Sequence, residues 1–284
     1  IRKRERSRNT VEVAVRIAQI GNKVLNMIVI GIILFLFLYG GYSLWDTYMS
    51  AKGAFLSDDL LQYKPQPGKG ENPSLEDLMA INKDVAGWIT IKDTHIDYPI
   101  VQGKDDMEYI NKDVYGEFSL SGSIFLSCLN KKDFSDSYNL LYGHHMENGG
   151  MFGDVVSFTE KSYFDKHQTG ELYLPDKTVK IELFACVKTS ATDSYIYNPQ
   201  NISSNTENFH IFLDYVRENA VCYRESNIKN DDKLIGLSTC SEAVTNGRVV
   251  LFGKLIQITK GNQKQKKVSK GGVQKKNETK QNKK

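Results

Sequence analysis

Residues 233–255 read KLIGLSTC, then SEAVTNG, then RVVLFGKL. Two apolar, β-branched runs flank a loop of small and turn-forming residues, the pattern of two neighbouring strands joined by a short return. Cys240 closes the first run and Arg248 opens the second, eight residues on. A cation beside a cysteine favours the thiolate, which is the nucleophilic form. A guanidinium at that place can also stabilise an oxyanion on an attacked carbonyl. Spacing alone fits a buried cysteine and a surface arginine at least as well.

Strand-like runs of the same kind recur upstream, at 87–91, 96–101, 122–127, 138–142, 170–174 and 178–188, each rich in Val, Ile, Tyr or Phe and bounded by Gly, Asn or Asp. With 233–238 and 248–258 they make about eight strands, which predicts a mostly β domain closed into a barrel. One segment breaks the pattern. Phe209, Phe212, Leu213 and Val216 follow the i, i+3, i+4, i+7 spacing of an amphipathic helix over about 206–219. A shorter helix is predicted from a cap at Ser74, with Asp77 three residues on.

A second constellation lies in YNLLYGHHM, residues 138–146. A strand runs straight into Gly143-His144, so an imidazole projects where the strand ends. Histidine is the usual acid/base partner of a nucleophilic cysteine. Adjacent histidines on a strand point to opposite faces, so His144 and His145 are a poor metal pair. The four cysteines, Cys128, Cys186, Cys222 and Cys240, form no CxxC motif. No metal and no cofactor are expected, and whether any cysteines are bridged is left open. Glu242 could orient Arg248, although a solvated loop acid explains it equally well.

The ends of the chain differ from its middle. Residues 1–23 hold seven Lys or Arg against two acids, and residues 260–284 hold ten Lys against one Glu. Taking these from totals of 37 basic and 34 acidic residues leaves 20 against 31 in between. An acidic body argues against a nucleic-acid enzyme. Val24–Trp45 are 22 residues without a formal charge. As a helix they reach about 33 Å, enough for a hydrocarbon core of about 30 Å. The basic residues before this segment predict a cytoplasmic N-terminus and an extracellular remainder. A cleaved signal peptide is the competing reading, against which the length argues. The expected organisation is a cytoplasmic N-terminus (1–23), a transmembrane anchor (24–45), a stalk (46–73), a catalytic domain (74–259) and a basic, disordered tail (260–284).

LSTC followed by Arg248, with LYGHHMENGGMFGDV (141–155) upstream and a helix inserted before the cysteine strand, resembles the sortase family, in particular its class B. The resemblance covers roughly residues 74–259. It implies a closed sortase-type β-barrel, and it places Cys240 on the nucleophile, His144 on the acid/base and Arg248 on the transition-state or substrate-positioning arginine. Ser238 and Thr239 fall on positions that line the substrate groove. The family commonly has Thr where this chain has Gly236, a departure that touches groove packing and not the reacting groups. The activity implied is transpeptidation: cleavage of an LPxTG-like or NPxTx-like sorting signal of a secreted protein, a thioester on Cys240, and transfer to a peptidoglycan cross-bridge amine or a pilin lysine. Two other classes remain open. One is an extracellular cysteine peptidase or wall-peptide hydrolase, disfavoured because His144 precedes Cys240; the other is a non-catalytic anchored binding domain.

Overall fold

The computed structural model describes residues 2–55, 57–67, 71–203, 205–240 and 246–257, and only the backbone for 2–11, 50–54, 58 and 240. The tail expected to be disordered and the loop carrying Glu242 lie outside these residues. The chain divides into two units, Ile1–Ser50 and Ala51–Lys284. The first is made by helix α1 (Arg2–Ala54), which continues beyond the division. Within it Glu12–Met49 are long and apolar enough to cross a membrane, with a mean hydropathy of 2.4. Its large apolar side chains are exposed, Phe37 at 78% and Leu38 at 70%. A helix that is apolar all round and unburied by protein is suited to lipid. The expected anchor at 24–45 falls inside this span. The helix, however, is unbroken from Arg2 and runs into the segment expected to be a stalk, because no proline interrupts it before Pro65.

The second unit is a barrel with short helices around it, α2 (Asp58–Leu61), α3 (Pro73–Ile81), α4 (Gly153–Ser157), α5 (Lys161–Lys166), α6 (Pro199–Ser203) and α7 (Thr206–Asn219). Its strands are β1 (Val85–Ile91), β2 (Asp97–Val101), β3 (Ile124–Leu126), β4 (Tyr138–Tyr142), β5 (Thr169–Leu174), β6 (Lys177–Ser190), β7 (Ala220–Tyr223), β8 (Lys233–Cys240) and β9 (Gly247–Gln257). Neighbours run β5-β1-β2-β3-β4-β8-β9-β6, and β6 pairs back onto β5, closing eight strands. The ladder is antiparallel except for β2–β3 and β4–β8, which are parallel. The predicted closed barrel of about eight strands is thus present, and it is mixed. The ninth strand, β7, was not foreseen; it attaches to the part of β6 that β5 leaves free.

Strand alternation sorts the side chains into an interior and two outer layers. Ile235, Leu237, Val249, Leu251 and Leu141 face inward and pack with Phe152 and Ile181. On one outer side α6 (Pro199–Ser203) and α7 (Thr206–Asn219) lay Ile202, Phe209, Phe212 and Val216 over Tyr138, Leu140, Leu234, Val250 and Phe252. On the other side α3 (Pro73–Ile81) covers Trp88, Val101 and Phe125 with Leu75 and Leu78. With both faces buried, these strands need near-continuous apolar runs, as the sequence has. Leu60 and Tyr63, in the expected stalk, also pack on this second layer.

The cap of α3 is a correction. The N-cap is Asn72, with Pro73 at the first helical position, so Ser74 lies inside the helix. Asn72 does not cap with its side chain; its Nδ2 donates to the Leu174 carbonyl at 2.7 Å, tying the helix start to the β5–β6 turn. The helix predicted over 206–219 matches α7, whose cap Asn205 accepts from the Asn208 amide at 2.8 Å.

Candidate active site

Three adjacent strands bring the expected residues to one end of the barrel. In the β4–β8 pair Tyr142 lies opposite Ser238, and the Gly143 amide donates to the Ser238 carbonyl at 3.1 Å. The paired register ends there, with His144 two residues beyond the end of β4 and position 240 two residues beyond Ser238. In the β8–β9 pair Cys240 lies directly opposite Arg248. Arg248 in turn lies opposite Thr189 of β6. Cys240 and Arg248 are thus cross-strand neighbours, and His144 follows the end of the strand that pairs with β8 on its other side, although β5, β6 and β7 separate it from them in the chain.

The alternation assigns faces as well. Leu140 and Tyr142 of β4, Leu234 of β8 and Val250 of β9 belong to the outer layer under α6 and α7. Positions 240 on β8 and 248 on β9 share their parity and so lie on the outer face, while His144 lies two residues past the end of β4. His145 pairs with Met151, a barrel-interior residue, and its Nδ1 is buried without a partner among the described residues. Gly143 precedes His144 for a packing reason: a Cβ there would lie 2.4 Å from the Ile124 side chain and 2.8 Å from the Phe152 ring.

His144 is partly buried, and its Nε2 lies 2.8 Å from the Ile110 carbonyl oxygen. Arg248 donates from Nη1 to the Gly247 carbonyl at 3.0 Å and forms no ion pair among the described residues. The nearby Asp193 is engaged elsewhere, accepting from the hydroxyls of Thr189 and, at 2.6 Å, Tyr215. Among the described residues the guanidinium therefore has donors to spare.

Ser238 and Thr239 do not present open hydroxyls. Ser238, 2% exposed, has the outer parity and exchanges a 2.9 Å hydrogen bond with the Tyr197 hydroxyl. Tyr197 stacks on Tyr142, centroids 6.1 Å apart and rings 12° from parallel. Burial holds the Tyr142 phenol well above the usual tyrosine range. Thr239 has the inward parity and is 2% exposed, with Oγ1 unpartnered among the described residues. Strand alternation sets it on the face opposite to that of Ser238. Tyr142 was legible by the same rule, two residues before His144; nothing in the sequence marks Tyr197.

Gly236 also has a local cause. A Cβ at that position would come within 2.5 Å of the Tyr138 hydroxyl, whose fully buried ring occupies the space. Two of the other three histidines are held by their neighbours. Asp154 holds His95 through the backbone amide at 2.7 Å and Nδ1 at 3.0 Å. His167 is buried against Tyr163 and contacts its carbonyl at 2.8 Å. Cys186 and Cys222 face each other across β6–β7 as free thiols. Among the described residues no group of three His, Cys, Asp or Glu is placed to hold a metal ion.

Comparison with known proteins gives this site its context. No family model matches the chain. Sortase B of Staphylococcus aureus is 30% identical over 226 residues, 77% of this chain and 91% of that protein. Sortase B of Listeria monocytogenes is 31% identical over 243 residues, 82% and 96% of the two. Among solved structures, a Streptococcus pyogenes class B sortase involved in pilus biogenesis is 44% identical, with a TM-score of 0.59 over 64% of this chain and 97% of that one. The S. aureus sortase B–substrate complex gives 30% and a TM-score of 0.61, over 67% and 88%. Relatives of this identity, spanned almost end to end, decide the assignment: the chain belongs to the sortase family of cysteine transpeptidases and groups with its class B.

Proposed function

We propose that this chain is a membrane-anchored transpeptidase in which Cys240 is the nucleophile, His144 the general acid and base, and Arg248 the stabiliser of the attacked carbonyl. The observation that supports the reading is the register that sets Arg248 opposite Cys240 and pairs β8 on its other side with β4, the strand that His144 follows by two residues. The Cys240 thiolate adds to a backbone carbonyl in the sorting signal of a secreted protein. Arg248, without a carboxylate partner among the described residues, offers donors to the developing oxyanion. Collapse breaks the C–N bond, and His144 protonates the departing amine, leaving an acyl thioester on Cys240. An incoming amine adds to the thioester, gives its proton to His144 and expels the thiolate, so a new amide replaces the old one. Within this scheme the signal is LPxTG-like or NPxTx-like, and the catalytic unit stands outside the cell behind the α1 anchor.

The acceptor amine is a pilin lysine in our reading. The 44% identity to a pilus-biogenesis sortase, against 30–31% to the two sortase B proteins, favours it over a cross-bridge amine. The test is mass spectrometry of the full chain in detergent with both classes of signal peptide, with and without a lysine-bearing pilin peptide or triglycine. A Cys240-dependent acyl adduct and a lysine-linked product are expected. Cleavage without ligation to either amine would favour a hydrolase. No adduct with any peptide, and an unreactive Cys240, would leave a non-catalytic binding domain.

A further inference from the structure

His144 touches a group whose chemistry constrains its ring. A carbonyl oxygen can only accept, so at the 2.8 Å contact with Ile110 the His144 Nε2 carries the proton. In the neutral ring Nδ1 then holds the lone pair, and Nδ1 has no hydrogen bond among the described residues. Such a tautomer is catalytically useful only if the carbonyl itself is immobile.

The connection between β2 and β3 supplies that immobility. The Ser123 amide donates to the Tyr109 carbonyl at 3.1 Å, the Ser119 amide to the Asn111 carbonyl at 3.0 Å, and Ser123 Oγ to the Lys112 carbonyl at 2.8 Å. The carbonyls on both sides of Ile110 are thus tied down while its own remains for the imidazole. Tyr109, 3% exposed, is anchored in turn, its hydroxyl donating to Asp84 at 2.8 Å and accepting from Asn82 at 3.0 Å. Gly122 backs the carbonyl directly. It has a φ of +59°, and a Cβ on it would lie 2.2 Å from the Ile110 oxygen. Any other residue must push that oxygen away, besides adopting a left-handed backbone.

We propose that the Ile110 carbonyl, seated against Gly122, is the positioning group that fixes the Nε2–H tautomer of His144 and reserves Nδ1 for proton exchange with the reacting groups. The role in catalysis rests on His144 being the acid/base; the hold on the ring does not. A main-chain atom does here what a carboxylate does in triads of side chains, so no third side chain is required to orient the imidazole.

The test reads the ring directly. The full chain, selectively 15N-labelled at histidine and held in detergent, is measured at a pH where His144 is neutral, with its signals identified by their absence in His144→Gln. The wild type is expected to show an Nε2–H ring. Gly122→Ala should move the signals toward a mixture of tautomers and lower kcat about 10- to 100-fold with KM little changed. If Gly122→Ala does not fold, Ser123→Ala, which removes only the bond to the Lys112 carbonyl, should shift the same signals in the same direction to a smaller extent. An Nδ1–H ring in the wild type, or folded variants with unchanged tautomer, would overturn the proposal. An Nε2–H ring in a protein that transfers no acyl group would overturn the transpeptidase reading and leave the carbonyl's hold on the ring standing.

Discussion

In the proposed reaction position 240 relies on two groups that meet opposite needs of acyl transfer, a ring that moves protons and a cation that does not. Cys240→Ala should abolish acyl-adduct formation and leave the thermal unfolding midpoint unchanged, checked by mass spectrometry and circular dichroism. Arg248→Lys keeps the charge but loses the planar fork of donors, so kcat/KM should fall at least about tenfold. The two histidines should differ: His144→Ala should cost nearly all activity and His145→Ala far less. A reversed order in a ligation assay would sink the assignment of His144. The choice of His144 came from the resemblance, which sets the acid/base directly after Gly143; alternation itself says only that two successive strand residues point to opposite faces. The meaning of Gly236 was not legible in the sequence. It depends on Tyr138, distant in the chain, whose ring fills the missing side chain's space and whose hydroxyl is buried without a partner among the described residues. Removing that hydroxyl by Tyr138→Phe should be neutral or stabilising by up to about 1 kcal/mol. Gly236→Ala alone should cost about 1–3 kcal/mol by overpacking, and less in the Tyr138→Phe background, in a urea-denaturation double-mutant cycle.

Among the elements, α7 was the most legible, because a 3.6-residue period stands out among strands of period two. Its apolar face is also where the barrel's outer layer is anchored. Phe212 is 1% exposed and lies 4.6 Å from Tyr138, centroid to centroid. Phe212→Ala should therefore destabilise by about 3–5 kcal/mol, read as a lower urea midpoint. β7 escaped notice since four residues directly after a helix carry too little periodicity to register, and its partner stretch of β6 is defined only once β5 has ended. The cap of α3 was misread for a related reason. A Ser-x-x-Asp pattern is a local signal, whereas Asn72 is held by the Leu174 and Pro175 carbonyls of a turn far along the chain. Local patterns revealed the elements; the contacts between distant elements decided where some of them begin.

At the scale of the whole molecule, the barrel could be inferred from strand number and spacing, but its closure through β5 and β6 and the parallel β4–β8 pair could not, since pairing partners are not a local property. The many buried tyrosines have a collective effect. Burial pushes the phenols of Tyr98 and Tyr109 up to about 12. Between the ordinary value near 10 and that value the unfolded chain has released these protons and the folded one has not. Stability is therefore intact below pH 10 and falls as the pH rises toward 12, by up to about 1.4 kcal/mol per pH unit for each such residue. Urea midpoints measured from pH 8 to 11 should be flat and then decline; constant midpoints to pH 11 would contradict the burial.

The parallel pairing of β4 with β8 has a consequence for biosynthesis. A chain emerging N-terminus first delivers the His144 strand early, and the edge beside it stays open while β5, β6, α6, α7 and β7 follow. Only when β8 slides into that edge do histidine and cysteine meet, with the arginine strand arriving immediately after. On the proposed function, the order of synthesis thus acts as a timer, and an unfinished molecule has no assembled thiol site with which to acylate itself or its neighbours.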